Sequence, residues 1–222
     1  MALTWWVSGA HSRSAMQIRP GGLLAGLTAV LLVSCGSGVA SPSSAPSPEH
    51  AITGFEPSDA AIRTSFANLD SAARDHPDAL RQAAVRHLHD SNPQVHYAAV
   101  YSLALTVTSS QGSNEMIALL TSASLNDRLL AAAALTGIGD KRGLPVLIAA
   151  LDQGDELSYW DPPTAAFEFA RTELLYFTAQ AFGLTASTDL ASATAAQSSW
   201  ERWWQTNQAS ILFDPSTGKY SP

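Results

Sequence analysis

The side chains of this 222-residue chain that could do chemistry are few and loosely grouped. His76, His87, His89 and His96 form a histidine-rich stretch with Asp90 as a nearby carboxylate. A zinc site needs two or three such ligands converging on one point. His87 and His89, two positions apart on a helix, diverge by about 200°, and His96 lies beyond the Asn92-Pro93 turn. Surface or capping roles suit them better, and no metal site is expected. Asp152, Asp155, Glu156 and Asp161, with Tyr159 and Trp160 among them, read as an acidic loop carrying aromatics. The loop lacks the Asp-x-Asp-x-Asp-Gly order of a calcium site and is either a solvated connection or a binding surface. In the second case a partner meets Asp155, Glu156, Tyr159, Trp160 and Asp161, because loops on a rigid scaffold carry function more often than its core. Glu168 and Glu173 stand five apart and off a common face, and there is neither a nucleophile elbow nor a phosphate-cradling glycine loop. The expectation is a protein that is not an enzyme and holds no cofactor.

The remaining reactive group is the thiol of Cys35, the single cysteine. From Met16 the chain reads MQIRPGGLLAGLTAVLLVSCGSG: Arg19, an apolar run from Leu23 to Val33, a small residue, then the cysteine. This is the order of a secretion signal, and the apolar run is shorter than the ~20 residues that cross a bilayer as a helix. Leu32, Val33, Ser34 and Cys35 resemble the bacterial lipobox. The resemblance implies that Cys35 receives a diacylglycerol and becomes the first residue of the mature chain, with residues 1–34 removed. A lone thiol forms no internal disulfide, and an exported protein seldom leaves one idle. Either Met16 is the true start, or residues 1–15 with Trp5, Trp6 and Arg13 make an unusually long basic segment.

Arg13 and Arg19 leave with the signal, so ten Lys and Arg face 19 Asp and Glu, a formal charge of −9. Such a surface repels phosphate, which excludes nucleic acid as a partner and leaves acyl chains, rather than charge, as the means of membrane attachment. After Cys35 the segment GSGVASPSSAPSPEH has almost no bulky apolar residue to offset its ordering entropy, so residues 35–55 read as a flexible tether. Residues 56–222 are long enough for one core without disulfides or metals. The expected location is extracytoplasmic, anchored by lipid to the cell membrane or the outer membrane.

The elements that must position these groups are helical. Within Asp78 to Leu88, the residues Leu80, Ala83, Ala84 and Leu88 share a face, and Asn92-Pro93 ends that helix and starts another. Val95, Ala98, Ala99 and Leu103 then repeat the pattern at an offset of 15, one helix plus a turn. Farther on, NDRLLAAAALTGIGD (residues 126–140) places Gly137 and Gly139 at a helix stop, and Leu144-Pro145-Val146-Leu147-Ile148 opens the next helix. Leu103 and Leu135 are 32 residues apart, the period at which helix pairs stack so that each unit buries its stripe on its neighbours.

The segment AALTGIGDKRGLPVLIAAL (residues 133–151) is similar to HEAT-like repeats of the short bacterial kind, the PBS-lyase type, whose helix ends in Ala-Leu-Gly-x-Ile-Gly-Asp. Here Thr136 is extra, Asp127 stands where the family has an aliphatic residue, and His96, in the better-fitting VHYAAVYSLAL, stands where the family carries Arg. The resemblance covers residues 78–151 and implies an all-α fold, a short α-solenoid of about seven helices. It implies a protein-binding role, because repeats of this type mostly bind proteins.

At Asp161-Pro162-Pro163-Thr164 the repeats give way to a longer helix, opened by Pro163 or Thr164, with the stripe Phe167, Ala170, Leu174, Phe177 and Ala181. With Phe169 and Tyr176 off that stripe, the helix is apolar on more than one face. A last helix carries Trp200, Trp203 and Trp204 on one side. Three indoles there either cap the open end of the stack or present an aromatic surface to a sugar. The tail ILFDPSTGKY forms a small hairpin over that cap. The expected function is a non-catalytic docking scaffold for another envelope protein. The alternative is an enzyme or ligand-binding protein with a pocket between the acidic loop and the aromatic helices, in which Asp155, Glu156, Trp160 and Asp161 converge.

Overall fold

The computed structural model describes residues 46–222 apart from Asp59, Asp161 and Pro162; Cys35 and the segment read as a signal lie outside them. The described residues form nine α-helices and a two-stranded hairpin: α1 Pro48–Thr53, α2 Ile62–Asp75, α3 Pro77–His87, α4 Pro93–Thr106, α5 Ser113–Leu119, α6 Leu125–Gly137, α7 Gly143–Ala149, α8 Ala166–Phe177, α9 Leu190–Asn207, β1 Leu212–Asp214 and β2 Lys219–Ser221. The class is the helical one that the periodicity implies.

Local signals account for most helix starts. The Asn92 side chain accepts from the Gln94 N–H and Pro93 takes the first helical position, where a missing N–H costs nothing. Ser124 caps α6 and Asp189 caps α9 in the same way, while Glu168 reaches back to the Ala165 N–H at the start of α8. α6 ends as the glycines require: Gly139 adopts φ +87°, the Asp140 N–H donates to the Leu135 carbonyl and the Gly139 N–H to that of Thr136.

The twin patterns pack together. Leu80, Ala83, Ala84 and Leu88 of the α3 segment and Val95, Ala98, Ala99 and Leu103 of α4 are all buried. α4 and α6 are apolar almost all round, since each lies between neighbours: α4 against α3 and α6, and α6 against α5, α7 and α8. At the crossing of α6 with α7 a Cβ on Gly143 would fall 2.1 Å from the Ala132 carbonyl oxygen and 2.3 Å from Thr136 Oγ1. Only a glycine allows this approach. Gly143→Ala is therefore expected to cost about 1–3 kcal/mol, read as a fall in the urea midpoint at unchanged slope.

Three features depart from the sequence expectations. Part of the segment read as tether is folded: α1 is capped by Ser47, and Ala51, Ile52 and Phe55 are buried. A six-residue helix has no autonomous stability and is visible only as docked structure. α8 begins at Ala166 and stops at Phe177, because Thr178 turns extended and pairs with Tyr220; Ala181 is exposed. The hairpin forms in the register Phe213 opposite Tyr220, yet it covers the end of α6 rather than the tryptophans. The Phe213 ring lies on Gly139, and Tyr220 Oη donates to the Thr136 carbonyl at 3.3 Å.

Candidate docking surface

The acidic loop between the 3₁₀ turn Ala150–Asp152 and α8 is built as a rigid projection. Its two limbs are tied across the neck: the Leu157 N–H donates to the Thr164 carbonyl, Ala166 N–H to that of Asp155, and Phe167 N–H to that of Gln153, all within 3.0 Å. The Asn126 side chain grips Ser158 from α6, accepting its N–H and donating to its carbonyl, each at 3.2 Å. Two such bonds imitate a strand pairing and fix the tip.

The loop sorts its side chains by chemistry. Tyr159 turns inward with φ +64°, a left-handed conformation that costs a bulky residue roughly 1–2 kcal/mol. The cost is offset by ring contacts with Tyr97 of α4 at 4.9 Å and with Phe55 at 6.3 Å, in a cluster that includes Phe66 and Tyr101. Burial pushes the Tyr97 hydroxyl far above its ordinary pKa, so this contact stays neutral. Trp160 turns the other way and meets Phe169 of α8 edge-on at 5.2 Å. Asp152, Asp155 and Glu156 are left exposed. Of the residues marked by the sequence as partner-facing, the structure therefore divides two inward anchors, Tyr159 and Trp160, from two outward carboxylates, Asp155 and Glu156; Asp161 lies outside the described residues.

The histidines do not gather. His76 and His89 are exposed, His87 sits between Glu49 and Asp90, and His96 donates Nδ1–H to the Leu88 carbonyl at 2.7 Å with its Nε2 3.0 Å from Asp127 Oδ2. Asp127 is buried and also accepts from Ser122 Oγ at 2.9 Å. His96 and Asp127, where the sequence differs from the pattern it resembles, are thus each other's partners across α4 and α6. Glu168 serves as a cap and Glu173 is buried within α8. Among the described residues no three His, Cys, Asp or Glu are placed to hold a metal ion.

A feature not anticipated from the sequence is a cleft of about 420 Å³ between the turn after α6, Ser109 of the loop before α5 with Ser113 at the start of α5, and the hairpin. Its charged groups are already engaged. Arg142 Nε and Nη2 bind the Asp140 carboxylate at 2.5–3.1 Å, which holds that carboxyl below its ordinary range. Lys141 Nζ donates to the Gln208 carbonyl at 2.5 Å. The adjacency of Lys141 and Arg142 in an acidic chain was the available signal; the hairpin wall, coming from 70 residues later, had none. The acidic loop does not line this cleft. No protein-family model, no curated protein and no solved structure matches the chain.

Proposed function

We propose that this chain is a lipid-anchored envelope protein whose body is a short solenoid of HEAT-like helix pairs, acting as a non-catalytic scaffold that docks another envelope protein. The observation that carries the docking role is the acidic loop: neck-tied backbone, aromatic side chains spent inward on two different helices, and carboxylates turned to solvent. A surface held this way loses little entropy on binding, so its contacts are available for affinity. Asp152, Asp155 and Glu156 favour a basic segment of the partner. The solenoid reading is supported by the succession of contacts, in which α3 meets α4, α4 meets α6, α6 meets α7 and α8, and α7 meets α8 and α9. The anchor rests on the order of Leu32, Val33, Ser34 and Cys35 after an apolar run.

The test is the intact mass of the membrane-extracted protein, followed by capture of its neighbours with wild type and the pair Asp155→Lys, Glu156→Lys. The expected chain starts at Cys35 with added acyl mass, and Cys35→Ala loses both the mass and membrane retention. The charge-reversed protein is expected to keep its thermal midpoint and lose the captured partner. An unmodified chain retaining residues 16–34 would rule out the anchor. Undiminished capture by the reversed pair would rule out the loop as the contact.

A further inference from the structure

His87, at the C-terminal end of α3, has both ring nitrogens committed to carboxylates. Nε2 lies 2.6 Å from Glu49 Oε1 and Nδ1 3.1 Å from Asp90 Oδ2. A neutral imidazole has one N–H and satisfies only one of them; the imidazolium satisfies both. Glu49 belongs to α1, and its second oxygen accepts from Arg86 Nη2 at 2.5 Å. Asp90 belongs to the turn before α4, and its second oxygen accepts the Asn92 N–H at 2.9 Å. One ring thereby joins three segments.

The surrounding charged and titratable groups are Glu49 and exposed His50 from α1, Arg86 from the same helix, His89 and Asp90 from the turn, and His96 from α4, whose charge acts on Asp90. α1 has only six residues and owes its order to docking, through buried Ala51 and Ile52 and through Glu49.

We propose that His87 is a proton-operated clasp for α1, closed while the imidazolium bridges Glu49 and Asp90 and loosened when the ring gives up its proton. The hydrogen bonds to Glu49 and then Asp90 raise the imidazole above its ordinary 6.5. Its contribution is complete below that value and is lost as pH rises through the folded-state value. Glu49, held down chiefly by the His87 hydrogen bond and then by Arg86, and Asp90, held down by the Asn92 N–H and then by His87, contribute above their ordinary 4.5 and 3.8 and lose this as pH falls. The clasp is therefore tightest between about pH 5 and 6.5 and opens toward alkali. In the lipid-anchored reading, an open clasp adds the residues of α1 to the tether.

Hydrogen exchange of the full chain in detergent micelles tests this, with labelling times scaled for the intrinsic rate and α6 amides as the internal reference. Protection of the amides of residues 51–54 is expected to fall about tenfold relative to α6 between pH 6 and pH 9. In His87→Gln it should be low at both pH values, and Glu49→Gln, which leaves His87 with Asp90, should likewise lose the pH dependence. An unchanged wild-type ratio, or the same fall in either variant, would overturn the clasp. Should His87→Gln fail to fold, Glu49→Gln decides alone.

Discussion

Trp200→Ala is expected to destabilise the protein by about 3–5 kcal/mol, among the largest effects available to a single side chain here. Trp200 is fully buried, edge-to-face with Phe182 at 5.1 Å and with Trp203 at 5.6 Å. Its helix, α9, packs against α7, α8 and the 3₁₀ turn, so the cavity left by truncation would be walled by three elements that cannot all collapse. At about 2–4 °C per kcal/mol for a body of this size, the thermal midpoint should drop by roughly 10 °C. Trp204, on the same side of the helix but only half-buried, should cost about 1 kcal/mol or less when truncated. The contrast separates the two roles open to these tryptophans. A cap concentrates its energy in Trp200 and Trp203, whereas a sugar-stacking surface needs exposed indole faces, and those of Trp200 and Trp203 are covered. Equal losses for Trp200→Ala and Trp204→Ala in a urea titration would contradict the cap.

Asp127→Leu is the second large expected loss, about 3 kcal/mol, even though leucine restores the aliphatic residue of the HEAT-like pattern. The carboxylate is buried, and both its partners, His96 Nε2 and Ser122 Oγ, would be left facing an apolar side chain. Removing one member of this partly buried pair costs more than the pair itself contributes, because His96, mostly shielded from water, is left without its partner. The double variant Asp127→Leu, His96→Leu should thus be less destabilised than the sum of the two single changes, with a coupling of about 1–2 kcal/mol. Additivity within about 0.5 kcal/mol would mean that the two residues act independently.

These two cases mark where local and tertiary information part. The helices were legible because their signals are local: Asn92-Pro93 starts α4, Gly139 stops α6, and the repeated aliphatic-x-x-Ala-Ala-x-x-x-Leu spacing puts one stripe on each of two neighbouring helices. The acidic loop was legible as a loop from its composition. Its internal division was not, since nothing near Tyr159 or Trp160 in the chain says that Tyr97 and Phe169 await them on different helices. His96 and Asp127 each looked like a flaw in a repeat. They became a matched pair only when α4 and α6 were laid side by side, since that packing brings together two residues 31 positions apart. α1 was missed for the complementary reason: Ser47 and Pro48 can start a helix, but six residues with one buried isoleucine are too few to show a periodic stripe, and their order also draws on contacts made 37 and 38 residues away, at Arg86 and His87. Periodicity and capping reside in neighbouring residues and determine where helices run. Which buried polar groups meet, and which short segments are ordered at all, depends on burial and hydrogen bonding between distant residues, which arise only when the helices assemble.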